Sequence, residues 1–451
     1  MNKISEPLIQ ELRIIETDFQ HALMQLVEIP SVIEENSREY PFGKNIDSAL
    51  KKILEISHEL GFKTFYDPMG YYGYAEIGEG ADMIGVLGHV DVVPAGDLQQ
   101  WKTPPFEPTI LDGKMFGRGT QDDKGPTLAA LFATKALMNL GITFNKRIRF
   151  IFGTDEETLW RCMNRYCELE EHPTMGFTPD SAFPLVYAEK GLLQLVLEGK
   201  NKTSLRLKSG SAFNAVPDSA KYSGNKSKEL CSVLEKLQFA YEIDGNDLIV
   251  LGKSVHAQVA ENGINSINRL LIALKQVGYT SKTIELINDL VREDPFAINI
   301  FGQLEDEVSG KLKFNVGKIE LNDEYEKLFI DIRIPVTAAK QDIVNTLTAS
   351  AKKYDLKYKE FDYLKSIYLP REHFLIETLM SVYQEVTNDL ASEPISSGGA
   401  TYARAMDNIV AFGAIFPHQT KTEHQPNEHI ELESMFTAMV IYSKAIYHLT
   451  R

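Results

Sequence analysis

Apolar residues recur at helical spacing in several segments of the chain. Between residues 7 and 28 they lie three or four positions apart, which predicts an amphipathic helix that ends before Pro30. Residues 49–60 repeat the pattern and are followed by Gly61, a residue type that favours helix ends. A third helix is predicted over residues 125–140. Each of these helices has one face that must pack against other elements.

Strand patterns lie between these helices. The apolar run 83–87 predicts a buried strand that leads directly into His89, and the alternating run 147–152 predicts a second strand. Strands followed by helices, repeated along the chain, predict an α/β fold with helices packed on a sheet. From about residue 186 the pattern changes. Strands are predicted at 192–197, 248–251 and 328–334, and helices near 264–277, 283–292, 338–353, 372–390 and 431–448.

Composition indicates a folded protein and excludes several classes of partner. The chain has 451 residues and a formal net charge of −16, so it lacks the basic surface needed to bind nucleic acid or an anionic membrane. No apolar run reaches the roughly 18–20 residues of a membrane span, and the mixed N-terminal segment predicts no signal peptide. Three cysteines, Cys162, Cys167 and Cys231, are consistent with a disulfide-free cytoplasmic protein.

Histidines and carboxylates cluster where the predicted strands end. In an open α/β sheet ligands collect at the carboxyl ends of strands, so the first of these residues are expected on one rim. Two imidazoles with several carboxylates suit a pair of divalent ions, which a carboxylate can bridge. The last histidine lies far along the chain, so a folded insertion must separate ligands that meet in space. The residues are His89, Asp91, Asp122, Glu156, Glu157, Asp180 and His424.

Each piece has a simpler explanation when taken alone. Asp122 and Asp123 can cap the helix that follows them, and Glu156–Glu157 can begin a helix in solvent. The Gly117–Gly119 stretch lacks the spacing of a dinucleotide-binding loop. Cys162 and Cys167 are separated by four residues, which excludes a structural zinc site there.

Nine motifs, in order along nearly the whole chain, resemble the aminoacylase and glutamate carboxypeptidase family of dinuclear zinc metallopeptidases, and most closely its PepV-type bacterial dipeptidases. This resemblance implies a zinc-exopeptidase-type catalytic domain, with a mixed sheet flanked by helices, formed by residues 1–186 and 381–451. It also implies an α+β lid domain inserted as residues 187–380. The motifs are GHVDVVP (88–94), GRGTQDDKGP (117–126), GTDEETLW (153–160), GFTPDSAFP (176–184), SGSAFNAVPDSA (209–220), GKSVHAQVAENGIN (252–265), DIRIPVT (331–337), SGGATYARAM (397–406) and EHQPNE (423–428).

The resemblance also implies a ligand set. Asp122 is expected to bridge both ions, with His89 and Asp180 completing one site and Glu157 and His424 completing the other. Zinc is the expected metal, with manganese and cobalt as alternatives.

Catalytic roles follow from the same resemblance. Glu156 matches the general base that takes a proton from a metal-bridging water. Asp91 matches the carboxylate that orients the imidazole of His89. From the lid, His256 is expected to stabilise the tetrahedral oxyanion.

Substrate-binding residues are also implied. Arg333 is expected to bind the substrate's terminal carboxylate, and Asn214, Gly399 and Thr401 are expected to contact the substrate. A salt bridge within a strand is the alternative explanation for Arg333, and a turn position for Asn214.

The sequence therefore predicts a cytoplasmic, monomeric, metal-dependent dipeptidase that hydrolyses unblocked dipeptides. The alternative within hydrolases is an N-acyl-amino-acid amidohydrolase or desuccinylase, because both need the same metal centre and carboxylate-binding group. A peptide-binding or metal-storing protein on an inactive hydrolase fold is disfavoured, since Glu156 and all five ligand positions are present.

Overall fold

A computed structural model describes residues 5–34 and 39–451, and the chain divides into two compact units. The first unit contains the residues through Tyr187, Leu369–Ile395 and Thr401–Arg451. The second unit contains Ala188–Tyr368 and Ser396–Ala400. The second unit is thus an insertion in the sequence of the first.

The end of this insertion differs from the boundary expected at residue 380. The structure assigns the residues from Leu369 onwards to the first unit. The reason is the helix Phe374–Thr387, whose apolar face packs on the helix Leu432–Leu449 of that unit. No change of composition marks this return of the chain, so the sequence pattern placed it about a dozen residues too late.

A mixed sheet organises the first unit. Its central strands Arg147–Gly153, Met83–His89, Met175–Thr178 and Ile409–Ala411 are parallel, and Lys63–Tyr66 and Tyr72–Ile77 extend it antiparallel on one side. In this register His89 lies opposite Gly153, so the carboxyl ends of two central strands are level. Shorter strands of the unit are Thr109–Leu111, Lys114–Phe116 and His429–Glu431, and Ser181–Ala182 paired with Ala414–Ile415.

Helices cover this sheet. The helix Lys124–Asn139 is buried on nearly all sides, because the helices Ser5–Val27 and Leu432–Leu449 pack on it. The helices predicted over 7–28 and 125–140 are confirmed, whereas the one predicted over 49–60 begins five residues earlier, at Lys44. The helices of the unit are Ser5–Val27, Lys44–Glu59, Lys124–Asn139, Arg161–Leu169, Phe374–Thr387 and Leu432–Leu449.

The second unit is built on an antiparallel sheet in the order Leu207–Ser209, Lys313–Leu321, Tyr325–Ile334, Gly191–Lys200, Lys357–Leu364. One face of this sheet forms an apolar core with the helices. Further strands are Ser219–Tyr222, Tyr241–Asp244, Asp247–Leu251 and the hairpin Glu305–Asp306 with Gly310–Lys311. The helices are Ser227–Leu237, Ser266–Gln276, Lys282–Leu286, Ile298–Phe301 and Lys340–Lys352.

Two sequence-based exclusions concern the described residues. Within 5–34 and 39–451, no helix has both the length and the apolar character required to span a bilayer. None of the three cysteines forms a disulfide within the described residues, and Cys162 is fully buried beside the hydroxyl of Tyr402.

Candidate metal centre

Strand ends of the first unit place the predicted ligands together. His89 is the last residue of the strand Met83–His89, and Glu156 and Glu157 follow the neighbouring strand Arg147–Gly153. Asp180 comes two residues after the third parallel strand, Met175–Thr178. The rim expected from the sequence is therefore present, because the carboxyl ends of parallel strands meet at one edge of the sheet.

Asp122 lies between two imidazoles. It directly precedes Asp123, the residue that caps the buried helix Lys124–Asn139. Its Oδ1 is 3.0 Å from Nε2 of His89, and its Oδ2 is 3.0 Å from Nε2 of His424. Each carboxylate oxygen thus faces a different histidine, which is the arrangement a bridging ligand requires.

The remaining ligand candidates fall into two groups. On one side, Asp180 Oδ2 is 3.7 Å from His89 Nε2, and Glu156 has a carboxylate oxygen in the same group. On the other, both oxygens of Glu157 lie 3.0–3.1 Å from His424 Nε2. Within each group the ligand atoms lie within 4.8 Å of one another. The structure thus places Glu156, predicted as a base, among the first group of potential ligands.

Asp91 contacts one residue of each group. The Nδ1 atom of His89 is 2.9 Å from the Asp91 carbonyl oxygen and 3.4 Å from its carboxylate. The other carboxylate oxygen of Asp91 accepts the backbone N–H of Glu157 at 3.1 Å. Asp91 therefore orients both an imidazole and the loop of a carboxylate, which leaves Nε2 of His89 facing the site.

The charges at this site are unbalanced within the protein itself. Burial, followed by the neighbouring carboxylates, raises the pKa values of Glu156 and Asp180 well above their usual range. Burial lowers the pKa of His424, but Asp122 and Glu157 outweigh it and raise that pKa to about 11. Without cations these carboxyl groups therefore favour their neutral form, and divalent cations would favour the carboxylates.

The donor set fits divalent metal ions. It contains imidazole nitrogens and carboxylate oxygens and no thiolate, a combination that zinc, manganese and cobalt accept. Cations placed between these groups would also offset the repulsion among the half-buried carboxylates.

The remaining predicted site residues, apart from Thr401, belong to the second unit. Asn214 and His256 are neighbours there, because the N–H of Ala257 donates to the Asn214 carbonyl at 2.8 Å. Arg333 is 1% exposed and donates to both carboxylate oxygens of Asp331 and, at 2.7 Å, to the carbonyl of Gly398, beside Gly399. In the first unit, Thr401 caps a short turn by accepting the N–H of Ala403.

Sequence reasoning missed residues that shape the loops of the site. Asp155 is fully buried and accepts three N–H groups of Arg161, which closes the turn that carries Glu156. Gln121 and Glu428 hydrogen-bond between the loops of Asp122 and His424. All three are polar residues inside motifs already quoted: Asp155 and Gln121 directly precede Glu156 and Asp122, and Glu428 follows His424 by four residues.

Comparisons with known proteins identify the family of the chain. Residues 85–448 match the family described as Peptidase family M20/M25/M40. The "Putative dipeptidase YtjP" of Bacillus subtilis (strain 168) is 36% identical, covering 95% of this chain and 96% of that relative.

Solved structures share the fold. The dipeptidase Dug1p from Saccharomyces cerevisiae has a TM-score of 0.64 at 14% identity, covering 100% of this chain and 99% of that one. The YXEP protein of Bacillus subtilis, described as a dinuclear metal-binding peptidase from the M20 family, has a TM-score of 0.52 at 13% identity, covering 97% and 99%.

Proposed function

The chain belongs to Peptidase family M20/M25/M40 and is a metal-dependent enzyme that hydrolyses peptide bonds, and from that premise we propose that it is a dipeptidase cleaving unblocked dipeptides. The observation that carries this proposal is Asp122, whose two carboxylate oxygens each lie 3.0 Å from a different imidazole. The names of relatives such as YtjP support the substrate class.

In this proposal the metal centre holds two divalent ions, taken to be zinc. His89 and Asp180 would hold one ion, Glu157 and His424 would hold the other, and Asp122 would be shared. When bound, the ions supply a Lewis acid that polarises the scissile carbonyl and increases the acidity of water. The protein's part is to fix the ligands and to leave room for the substrate.

Glu156 is the proposed general base. Burial raises the pKa of its carboxyl, which suits a group that must accept a proton and later release it. Glu156 removes the proton from the attacking water and then donates it to the departing amino group. The buried turn held by Asp155 fixes its position for both transfers.

His256 is proposed to stabilise the negative oxygen of the tetrahedral intermediate. Its Nδ1 accepts the N–H of Gln258 at 3.2 Å, so the proton of the neutral ring lies on Nε2. An Nε2–H group is the donor that an oxyanion requires.

The proposed binding site for the substrate's carboxylate centres on Arg333. Its contacts with Asp331 and Gly398 use three of the five guanidinium donors. The other two are proposed to bind the terminal carboxylate, with Gly399, Asn214 and Thr401 as further contacts. Because Arg333 also donates to the Gly398 carbonyl, it helps to fix the backbone of Gly398 and Gly399.

The first experiment compares a free dipeptide with its N-acetylated counterpart. The enzyme is stripped of metal and reloaded with zinc or manganese before each assay. We expect metal-dependent cleavage of the free dipeptide alone. Release of acetate from the blocked compound would instead assign the enzyme to the N-acyl-amino-acid amidohydrolases, the alternative that uses the same metal centre.

A cytoplasmic monomer completes the proposal. The low cysteine count, with no disulfide within the described residues, is consistent with a reducing compartment. Light scattering of the purified enzyme is expected to give the mass of one chain, and a stable dimer would contradict the monomer.

A further inference from the structure

The loop Gly117–Asp122 wraps around a carboxylate from a distant part of the chain. Oε1 of Glu428 accepts the backbone N–H groups of Gly119, Gln121 and Asp122 at 2.9–3.1 Å. Its Oε2 accepts Nη1 of Arg118 at 2.7 Å. Glu428 is fully buried, so these donors replace water completely. The glycine-rich loop is thus an anion-binding loop whose anion is a side chain of the protein itself.

Gln121, which belongs to this loop, in turn hydrogen-bonds to the segment that contains Glu428. Oε1 of Gln121 accepts the backbone N–H groups of Thr422 and Glu423 at 2.6 and 3.0 Å. Its Nε2 donates to the carbonyl of His429 at 3.3 Å. Gln121 and Glu428 therefore bind each other's loops, and we call this reciprocal pair the latch.

The latch lies beside two proposed metal ligands. Gln121 directly precedes Asp122 in the chain, and Glu428 follows His424 by four residues. Asp122 Oδ2 and His424 Nε2 are 3.0 Å apart. His424 has a φ of +61°, an unusual backbone conformation that the surrounding structure must hold in place.

We propose that Gln121 and Glu428 are positioning residues that set the spacing between Asp122 and His424, and thereby the affinity for the ion held by Asp122, Glu157 and His424. This inference rests on the proposed metal centre. The ion held by His89 and Asp180 also shares Asp122, but it depends less on the latch because His89 ends one strand of the central sheet and Asp180 closely follows another.

A carboxylate is required at position 428 by the donors around it. One oxygen receives three N–H groups and the other a guanidinium that is itself buried. In Glu428→Gln the amide oxygen can face the three N–H groups, but the amide NH₂ then faces Arg118. Two donors would oppose each other, and a buried positive charge would lose its partner.

The test measures binding of each ion separately. Metal-free enzyme is titrated with zinc by calorimetry and equilibrium dialysis, with Glu428→Gln compared against wild type. We expect two ions in wild type, and in the variant the ion at Asp122, Glu157 and His424 weakened by about tenfold or more and the other ion weakened much less. Glu431→Gln is the matched control, since Glu431 lies on the same segment but contacts Lys114 and Gln419 instead.

Gln121→Ala is the second variant, and it decides the question if Glu428→Gln does not fold. It removes the opposite half of the latch while leaving the buried ion pair in place. Much stronger weakening of one ion than of the other supports the proposal, whereas wild-type affinity for both ions, or equal weakening of both, overturns it. Failure of wild type to bind two ions would instead contradict the metal centre of the proposed function.

Discussion

Glu156 follows a buried strand and belongs to the same group of side chains as His89 and Asp180. A group in that position can either hold an ion or move a proton, and a substitution distinguishes these roles. In Glu156→Ala we expect two bound ions and a loss of kcat of about 10²–10⁴-fold, the usual contribution of a general base. Metal content is measured by elemental analysis beside the kinetics.

Glu157→Ala provides the comparison for this variant. Both oxygens of Glu157 lie 3.0–3.1 Å from Nε2 of His424, so its removal is expected to lower metal content as well as turnover. An active Glu156→Ala enzyme, or one that has lost an ion, would refute the assignment of Glu156 as the base.

Asp155 stabilises the turn that carries Glu156. Its buried carboxylate accepts Nε and Nη2 of Arg161 at 2.7 and 2.9 Å and also the backbone N–H of Arg161. Asp155→Asn keeps the size of the side chain but removes its charge. We expect a loss of about 1–3 kcal/mol in the free energy of unfolding, with a fall in kcat because the turn also carries Glu156.

Urea unfolding of metal-free protein measures this change without a contribution from bound ions. The matched control is Arg206→Ala, which breaks an ion pair with Asp323 in which both side chains are mostly exposed. Such a pair contributes little, so little change is expected there. Equal effects of the two substitutions would contradict the importance of burial at Asp155.

Among the elements, those around the metal centre are the ones that could be predicted from sequence. The strands near 83–87 and 147–152 are buried neighbours paired in parallel within the mixed sheet, so each is a continuous or alternating apolar run followed closely by polar residues. Because the ends of such strands meet, the sequence pattern also predicts that His89, Glu156 and Glu157 come together.

Other elements could not be predicted from periodicity. The paired strands Ser181–Ala182 and Ala414–Ile415 have two residues each, which is too short for any pattern. The helix predicted over 283–292 ends at Leu286 and continues as a wider turn over Ile287–Val291. The roles of Gln121 and Glu428 depend on contacts between residues about 300 positions apart, which a single sequence does not show.

The hairpin Glu305–Lys311 of the second unit contains Asp306, a carboxyl group that makes the stability of the folded state depend on pH. Burial raises the pKa of Asp306, but the N–H and hydroxyl groups of Ser309 and Thr337 lower it more, so the net pKa is below its usual value. A carboxyl with a lowered pKa stabilises the folded state above its unfolded pKa of about 3.9. That stabilisation is lost as the pH falls through the folded pKa.

Asp306→Asn therefore lowers the free energy of unfolding at pH 7 by about 1 kcal/mol, a value reduced for the partial exposure of the group. The difference from wild type is expected to shrink as the pH falls below the unfolded pKa of about 3.9 towards the lower folded pKa, as urea unfolding at several pH values can measure. A difference that stays constant over this range would show that the charge of Asp306 is not what binds Ser309 and Thr337.

The whole molecule has a net charge of −16, and several half-buried carboxyl groups lie close together in its first unit. Two divalent ions would reduce both the local repulsion and the overall negative charge. Because ions that bind only the folded state stabilise it by mass action, the stability of the enzyme is expected to depend on free metal concentration.

Removing the metal tests this dependence. We expect chelation to lower the Tm, and each ion to contribute about 2.7 kcal/mol when its free concentration is 100 times its Kd.

The Asp122→Ala enzyme is the control: it lacks the shared ligand, so its Tm is expected to respond far less to added zinc. If wild type and Asp122→Ala responded equally, the ions would be binding elsewhere, because no other residue places one oxygen toward each of His89 and His424 in the described part of the chain. A wild-type Tm unaffected by chelation and reloading would contradict the coupling of metal binding to folding.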